Sequence, residues 1–259
     1  GASLYRSLPL SQAGGALWDT TAFNFGVREF FGVVNNSAGA FVQLIPIAVL
    51  KLELYAGYDT LQTWPLGRNM NVLTPQGLAR LQAGQLAPND PSKLGWEDGV
   101  QNHPFGNYYS PVFGQGLRVK ATPTLQAKVG PVAAQYNFTL DCNEYWGGHY
   151  GRDDVYYDSF TFTLRKLRDV SLVHDVLVVS DVPVPGSMFA GVEARYMTVL
   201  GTRQSSLSVA ALALYKPPFQ LFEGKVQPWA AAQAGTLPID PMYRWTFSWV
   251  LALGVDFTL

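Results

Sequence analysis

The end of this chain, from Tyr243 to Leu259, alternates between large apolar side chains and small or polar ones. A repeat of two is the period of a β-strand whose two faces meet different surroundings. Tyr243 and Trp245 precede the apolar series, and aromatic rings of this kind suit a membrane–water boundary. The series predicts a strand with one strongly apolar face, formed by Phe247, Trp249, Leu251, Leu253, Val255, Phe257 and Leu259.

The chain ends in Leu-Gly-Val-Asp-Phe-Thr-Leu, in which a glycine is followed by hydrophobic residues at alternate positions up to the last. This ending resembles the C-terminal signal of bacterial outer-membrane β-barrel proteins, although that family usually ends in Phe or Trp rather than in leucine. The resemblance implies a bacterial outer-membrane location, contact of the apolar row with outer-membrane lipid, and assembly by the barrel-assembly machinery. We also expect Gly1 to be a processed or artificial start, because an exported barrel is made with a leader.

Charged side chains make up only 14% of the chain, against about 25% in an average globular protein. This composition favours a chain with a lipid-facing surface over a water-soluble one. The net charge is −1 and no basic patch is present, so we expect no nucleic-acid partner. No apolar run reaches the roughly 18 residues that a spanning helix needs, and a single cysteine, Cys142, excludes a disulfide within the chain.

The clearest hairpin is predicted at Gly130-Pro131. From 117 to 129 the odd-numbered residues are apolar, whereas from 132 to 142 the even-numbered ones are. A two-residue type II′ turn explains this change of phase, because glycine provides the positive φ of the first turn position and the fixed φ of proline suits the second. Residues whose numbers add up to 261 should then lie opposite each other. This places Lys120 opposite Asp141, within reach of a salt bridge.

Similar alternation elsewhere predicts about ten strands (8–12) of the length that a tilted membrane strand needs. We therefore predict an all-β fold, in which residues 1–259 form one transmembrane antiparallel up-and-down β-barrel, a class that usually has an even number of strands. A soluble lipocalin-like barrel is the alternative, and it would turn the apolar face inward. Charges that recur on the other face favour the membrane barrel, because they suit a narrow polar lumen. The predicted strands cover residues 21–33, 42–56, 117–129, 132–142, 156–164, 170–180, 190–200, 207–215, 226–235 and 243–259.

Residues 57–116 carry no sustained strand pattern and are too many for an ordinary turn. They are predicted to form a long insert, which is a loop, a plug or a lid, with a short helix at 74–82 whose N-cap is Thr74 and whose first residue is Pro75. Counting ten strands back from a periplasmic C-terminus places this insert in the periplasm, the reverse of the usual arrangement. A miscount of one strand, with 170–180 as the ambiguous segment, explains this better than a periplasmic insert does.

Charged residues recur on the polar face of the predicted strands and are expected to face the lumen. If unpaired, they would line a water-filled channel and set its ion preference, and if paired, they would cross-link a closed interior. Their mixed signs favour pairing, and about ten strands leave little free bore. The predicted lumen-facing charges are Arg28, Lys51, Glu53, Arg118, Lys120, Lys128, Asp141, Arg165, Glu193, Arg195 and Asp256.

The three histidines form no catalytic motif. No serine stands beside His103, His149 or His174, although barrel enzymes that act on lipids pair a histidine with a serine at the membrane rim. His149 with Asp153 and Asp154 is too weak a pattern to predict a metal site. We therefore expect no catalytic residue, no metal and no cofactor.

Three functions remain open at this point. The first is a non-enzymatic barrel that acts as an anchor or a subunit of a cell-envelope machine for secretion, export or motility, with protein partners in the periplasm or the outer membrane. The second is a narrow channel for ions or small solutes, and the third is a lipid-modifying enzyme at the membrane rim. The missing histidine–serine pair disfavours the third, and the sequence does not separate the first two.

Overall fold

The chain is all-β in the computed structural model, which describes residues 2–10, 20–31, 35–63, 67–68, 70–74, 79, 109–158, 163–220, 226–239 and 247–257. Sixteen strands lie within these ranges. The first eight are β1 (Ala2–Pro9), β2 (Ala22–Phe31), β3 (Asn35–Ile47), β4 (Leu50–Thr63), β5 (Gly67–Arg68), β6 (Met70–Leu73), β7 (Tyr109–Val112) and β8 (Gly114–Val129). The other eight are β9 (Val132–Trp146), β10 (Val155–Asp158), β11 (Thr163–Lys166), β12 (Arg168–Val182), β13 (Ser187–Val199), β14 (Gln204–Lys216), β15 (Val226–Ile239) and β16 (Phe247–Phe257). Within the described ranges, no helix is long and apolar enough to cross a membrane.

Eleven of the described strands form one antiparallel sheet, called the main sheet, in the order β1-β2-β3-β4-β8-β9-β12-β13-β14-β15-β16. The short strand β5 pairs with β4 beside this path. Most neighbours in the sheet are consecutive strands, because short connections make sequence neighbours the easiest partners. The exceptions are β4 with β8 and β9 with β12, whose longer connections contain other strands. Among the described residues, β1 and β16 are the two edges of the sheet. The predicted all-β class is confirmed, with eleven strands in this sheet where about ten were expected.

The predicted hairpin at Gly130-Pro131 joins β8 to β9. Gly130 has a φ of +58°, the positive value that the first position of a type II′ turn requires. Lys120 lies opposite Asp141, and the other paired residues of this hairpin also have numbers that add up to 261. The predicted register is therefore confirmed.

The predicted strand at 42–56 is in fact two strands, β3 and β4, joined by a turn at Ala48-Val49. The alternation hides this turn because the pairing shifts by one residue between Leu44 and Ile47. A two-residue turn alone reverses the phase of the alternation, and the extra residue of a bulge reverses it back. Even-numbered residues therefore stay on the same face before and after the turn.

The predicted strand at 156–164 does not belong to the main sheet. Its described residues lie in β10 and β11, which pair with each other in a second sheet, and residues 159–162 lie outside the described ranges. A period of two indicates a strand but does not reveal which sheet the strand joins. The ambiguous segment 170–180 is a genuine main-sheet strand, β12, so the miscount came from 156–164. Strand β1 was not predicted.

The connections between main-sheet strands lie at two opposite ends of the sheet. The turns at 48–49, 130–131 and 183–186 lie at one end, called the hairpin end, toward which β16 runs. The connections from β4 to β8 and from β9 to β12 lie at the other end, called the capped end. The count that put the long insert and the C-terminus at the same end is therefore wrong, because it included 156–164 as a main-sheet strand.

Four short strands form a second antiparallel sheet, called the cap sheet, in the order β11-β10-β6-β7. Strands β6 and β7 come from the long insert, whereas β10 and β11 come from the connection between β9 and β12. A cluster of buried side chains joins the cap sheet to the capped end of the main sheet. Its members are Leu61, Met70, Val72, Tyr145, Tyr156 and Leu167.

The long insert is shorter than predicted, because β4 continues to Thr63 and β8 begins at Gly114. Two of its strands, β6 and β7, lie in the cap sheet, while the predicted helix at 74–82 falls almost wholly outside the described residues. The description of the whole insert as a loop, a plug or a lid stays a prediction.

Candidate functional site

The two faces of the main sheet differ in chemistry. On the apolar face, large side chains stay exposed to an unusual degree, for example 77% for Leu253, 70% for Trp249 and 55% for Leu117. Extended exposed apolar surface is uncommon on a soluble monomer and marks contact with a membrane or another protein. The opposite, polar face of the same strands carries charged, hydroxyl and amide side chains. The main sheet therefore has one apolar face and one polar face.

The predicted apolar row of β16 lies partly within the described residues. The side chains of Phe247, Trp249, Leu251 and Leu253 are all exposed on the apolar face. Val255 and Phe257 belong to β16 by their backbone, but their side chains, like the whole of Leu259, lie outside the described part. Contact of this row with lipid stays a prediction.

Most of the predicted lumen-facing charges lie on the polar face of the main sheet. Lys128 is on this face at the hairpin end, where its Nζ lies 2.8 Å from a carboxylate oxygen of Asp181. Arg165 belongs to the cap sheet rather than to a main-sheet strand, yet its side chain reaches the polar face. Asp256 pairs with Gln227 through the backbone, and its side chain lies outside the described part. The remaining eight residues are Arg28, Lys51, Glu53, Arg118, Lys120, Asp141, Glu193 and Arg195.

Five charged side chains meet where the cap sheet covers the polar face, and they are called the buried charge cluster: Asp59, Arg118, Asp141, Asp158 and Arg165. Arg118 donates two hydrogen bonds to Asp141, from Nε to Oδ1 (2.8 Å) and from Nη2 to Oδ2 (2.6 Å). Nη1 of Arg165 donates to Oδ2 of Asp141 (3.3 Å) and to Oδ2 of Asp158 (3.4 Å). Asp141 therefore bridges an arginine of the main sheet and an arginine of the cap sheet.

Neutral side chains complete the buried charge cluster. The hydroxyl of Tyr145 donates to Oδ2 of Asp59 at 2.7 Å. Asn143 accepts a hydrogen bond from Arg165 and donates one to the carbonyl oxygen of Leu167 at 3.0 Å. Charges lose their hydration on burial and are tolerated only when they are paired and hydrogen-bonded. The cluster pairs its charges by combining groups from both sheets, and among its polar atoms Oδ1 of Asp59 and Nε of Arg165 have no hydrogen-bond partner in the described part of the chain.

The cap-sheet groups of this region have shifted pKa values. Burial opposes the charged form of Arg165, but Asp141, Tyr156 and Asp158 raise its pKa above the ordinary value. Burial raises the pKa of Tyr156 well above its usual value, and the charge of Asp158 adds to this effect. Arg165 therefore stays charged and Tyr156 stays neutral at physiological pH, so their ionisation does not release the cap sheet.

The expected salt bridge between Lys120 and Asp141 is not among the ion pairs of the described residues. The two residues lie opposite each other as predicted, but Asp141 accepts hydrogen bonds from two arginines instead. A guanidinium presents two parallel donors to a carboxylate, whereas an ammonium group is a point charge, so arginine is the better partner here. Nζ of Lys120 lies 5.8 Å from the centre of the Tyr55 ring.

Three residues of this region were not predicted from the sequence. Asp59 and Tyr145 continue the alternation of β4 and β9 beyond the predicted strand ends at 56 and 142, so longer strands would have revealed them. Asp158 lies within a predicted strand, but no pattern in the sequence connects β10 with β9. The contact between the two sheets therefore could not be predicted from the alternation of apolar and polar residues.

A second network of charges crosses β3. Arg28 on β2 donates two hydrogen bonds to Glu53 on β4, at 2.8 and 3.2 Å. Gln43, on the strand between them, donates to the same carboxylate at 2.9 Å and accepts a hydrogen bond from Asn24 at 2.9 Å. The guanidinium carbon of Arg28 also lies 4.5 Å from the centre of the Phe41 ring. This network fixes the polar face across three strands.

A third network lies on β12, β13 and β15. Nη2 of Arg195 lies 3.0 Å from a carboxylate oxygen of Asp175 and 2.9 Å from one of Glu193. Glu193 in turn accepts a hydrogen bond from Gln233 at 2.9 Å. Together the three networks pair most of the charges that were predicted to face the lumen.

A cavity of about 620 Å³ lies on the polar face. Its wall extends from β2 to β13, so the main sheet curves around it. Part of the wall is a ladder of neutral polar groups. The hydroxyl oxygens of Thr122 and Thr139 lie 3.0 Å apart, and the hydroxyl of Thr124 donates a hydrogen bond to Oδ1 of Asn137 at 2.8 Å. Lys51 and Lys120 also line the cavity, and neither forms an ion pair with a described residue. The paired arginines Arg28, Arg118 and Arg195 line the same cavity.

The described histidines lie away from this cavity. Nδ1 of His174 lies 2.8 Å from the hydroxyl oxygen of Tyr136 on the apolar face. His149 stacks on Tyr150, with 4.4 Å between ring centres, and His103 lies outside the described residues. In the described part of the chain, no three His, Cys, Asp or Glu side chains are arranged to hold a metal ion.

No protein-family model, curated protein or solved structure matches this chain. Its function is therefore inferred from the exposed apolar face, the cross-linked polar face and the cap sheet.

Proposed function

We propose that this chain is an integral β-barrel of a bacterial outer membrane, and that it serves without enzymatic activity as an anchor or a subunit of a secretion, export or motility apparatus. In this proposal the apolar face contacts lipid, the polar face encloses the lumen, and other envelope proteins are the partners. The exposed leucine, valine and tryptophan side chains support the barrel, because they suit lipid and charged side chains do not. Closure requires that β1 and β16 be joined, which satisfies the backbone groups of both edges.

The observation that carries the choice of an anchor is the buried charge cluster beneath the cap sheet. An open channel needs a continuous path of water, whereas Asp141 and Arg165 are at most 2% exposed and tie the cap sheet to the wall. Buried side chains of both sheets pack together beside this ion pair, among them Leu61, Tyr145 and Tyr156, so apolar contacts and hydrogen-bonded charges together hold the cap sheet to the wall. A barrel with one end held shut is suited to bearing a partner rather than to conducting.

The proposed orientation follows from the resemblance of the C-terminal residues to the assembly signal. A periplasmic C-terminus puts the hairpin end in the periplasm and the cap sheet at the cell surface. Short periplasmic turns and longer outer connections are usual for bacterial barrels. The turns at 48–49, 130–131 and 183–186 of the hairpin end and the long connections from β4 to β8 and from β9 to β12 at the capped end support this orientation. The connections 10–21 and 217–225 of the hairpin end and the short turn 200–203 of the capped end do not follow the rule.

Cell fractionation and cross-linking test this proposal. We expect the intact chain in the outer-membrane fraction, with a mobility on semi-native gels that changes on heating. Removal of residues 257–259 should leave it unassembled in the periplasm, whereas the matched variant Thr258→Ala should assemble. A photo-cross-linker at Asp153, which is exposed on the capped end, should capture the same envelope protein in repeated experiments. A soluble intact chain, or normal insertion of the truncated chain, would contradict the proposal.

The second candidate function is a narrow channel, and the cavity of about 620 Å³ with its polar wall favours it. Conductance in planar bilayers separates the two functions. An anchor should give no steady conductance, and Arg165→Gln, which weakens the attachment of the cap sheet, should allow brief openings. Steady conductance of the unaltered protein would support the channel instead. No described histidine is hydrogen-bonded to a serine, so nothing in the geometry favours the rim-located lipid enzyme.

A further inference from the structure

We propose that the cavity on the polar face binds a small anion that carries two or more phosphate or carboxylate groups. The charges in the cavity wall are the first reason. Three acids and five bases line it, and each acid is hydrogen-bonded by an arginine: Glu53 by Arg28, Asp141 by Arg118, and Asp175 by Arg195. The two remaining bases are Lys51 and Lys120.

The acids behind the wall do not occupy these lysines either. Asp59 accepts a hydrogen bond from Tyr145, Asp158 accepts one from Arg165, and Glu193 accepts from Arg195 and Gln233. Counting these acids and Arg165 brings the whole group of charges to neutrality. Binding therefore depends on direct contact with two ammonium groups and not on a long-range field, which salt would screen.

The placement of the two lysines determines the kind of anion. Lys51 on β4 lies opposite Thr124, whereas Lys120 on β8 lies opposite Tyr55. The two lysines are thus on adjacent strands and four positions apart, which is about 13 Å along the strand direction. An anion with two charged groups suits this spacing, because each group can meet one ammonium group while both side chains stay close to their own strands.

The wall between the two lysines offers further hydrogen bonds. Thr122 and Thr139 present hydroxyl groups, and Gln135 and Asn137 present amide groups. A volume of about 620 Å³ lies within the range of roughly 300–1,000 Å³ that is usual for small-molecule sites. The cavity therefore combines two cationic contacts with a neutral polar surface, as a site for a small polar anion requires.

Calorimetry on the folded protein in detergent tests this inference, which rests on the proposed function only in that the polar face encloses the cavity. The probes are pyrophosphate and citrate, titrated at constant ionic strength. Lys51→Gln and Lys120→Gln should each weaken the binding of the preferred probe by about 10- to 100-fold, because each removes a charged hydrogen bond. Lys128→Gln is the matched control, since Lys128 lies on the same face but is paired with exposed Asp181. It should bind like the unaltered protein.

The absence of binding by both probes, or an equal loss in the Lys128→Gln control, would overturn the inference. Heat-dependent mobility on semi-native gels checks that each variant is folded, and if one lysine variant does not fold, the other still gives the test. Fractionation of the same proteins separates this site from the proposed function. A chain that inserts into the outer membrane but does not bind either probe overturns only the site. A chain that binds but stays soluble overturns only the proposed function.

Discussion

At the scale of single residues, Arg165 has the largest fully buried side chain in the described part of the protein. Its side chain is fully buried, and its guanidinium contacts Asp141, Asp158 and Asn143. Two of these partners lie on the main sheet and one on the cap sheet. The next residue, Lys166, pairs instead with Asp153, which is 92% exposed. Arg165 and Lys166 are thus neighbours on one strand, but the first is buried among its partners and the second pairs at the surface.

Arg165→Gln is expected to destabilise the attachment of the cap sheet by about 3–5 kcal/mol, because it removes the buried cation that contacts both Asp141 and Asp158. Asp141 keeps its two hydrogen bonds from Arg118. Hydrogen exchange should accelerate in β6, β10 and β11 and much less in the main sheet. Lys166→Gln is the control and should leave exchange in these strands nearly unchanged, because exposed ion pairs contribute little to stability. Equal exchange in the two variants would contradict the role of the buried charge cluster.

Gly130→Ala tests the turn between β8 and β9. An added Cβ would meet no atom within 4 Å, so its cost comes from the φ of +58° alone. A left-handed backbone conformation costs a non-glycine residue about 1–2 kcal/mol, and chemical unfolding should report a loss of this size. Gly151→Ala is the control, because Gly151 has no positive φ and a Cβ there would meet only Asp154 at 3.8 Å. A larger loss at Gly151 would argue against this account of the turn.

At the scale of single elements, β16 carries an apolar face and a polar face along one strand. Leu253 is 77% exposed on the apolar face, whereas Ala252 lies on the polar face opposite Ala231. Leu253→Arg should cost about 2–4 kcal/mol if the apolar face contacts the bilayer centre, and Ala252→Arg should cost clearly less because its charge points into water. Urea unfolding from lipid vesicles measures both. Similar values for the two variants would speak against a lipid-facing β16.

How far the sequence predicts these elements depends on what the alternation can encode. It reports which residues share a face, so the register of β8 and β9 and the position of Lys120 opposite Asp141 followed from it. It does not report a turn that a bulge compensates, as at Ala48-Val49, nor which sheet a strand joins, as for β10 and β11. Arg165 was expected on the polar face of a main-sheet strand. It reaches that face from the cap sheet, through a contact that only the three-dimensional arrangement contains.

At the scale of the whole molecule, the proposed orientation assigns opposite sides of the membrane to the two ends of the main sheet. In a Cys142→Ala background, a cysteine at Asp153 on the capped end should react with a membrane-impermeant maleimide on intact cells. A cysteine at Val184, in the 183–186 turn of the hairpin end, should react only after the outer membrane is permeabilised. Both positions are exposed, so a difference in labelling reports sidedness. Labelling of the Val184 cysteine on intact cells would reverse the orientation.

The composition of the cap sheet also has a consequence for the order of folding. Main-sheet strands mostly pair with their immediate neighbours in sequence, and such local contacts close short loops and form early. The pairing of β10 with β6 instead joins Tyr156 to Val72, with β7, β8 and β9 lying between them in the chain. This contact closes a long loop and is expected to form late. The time at which β6 and β10 become resistant to protease would thus mark the completion of folding. A folding intermediate would be recognised by protease cleavage in the cap sheet while the main sheet is already resistant.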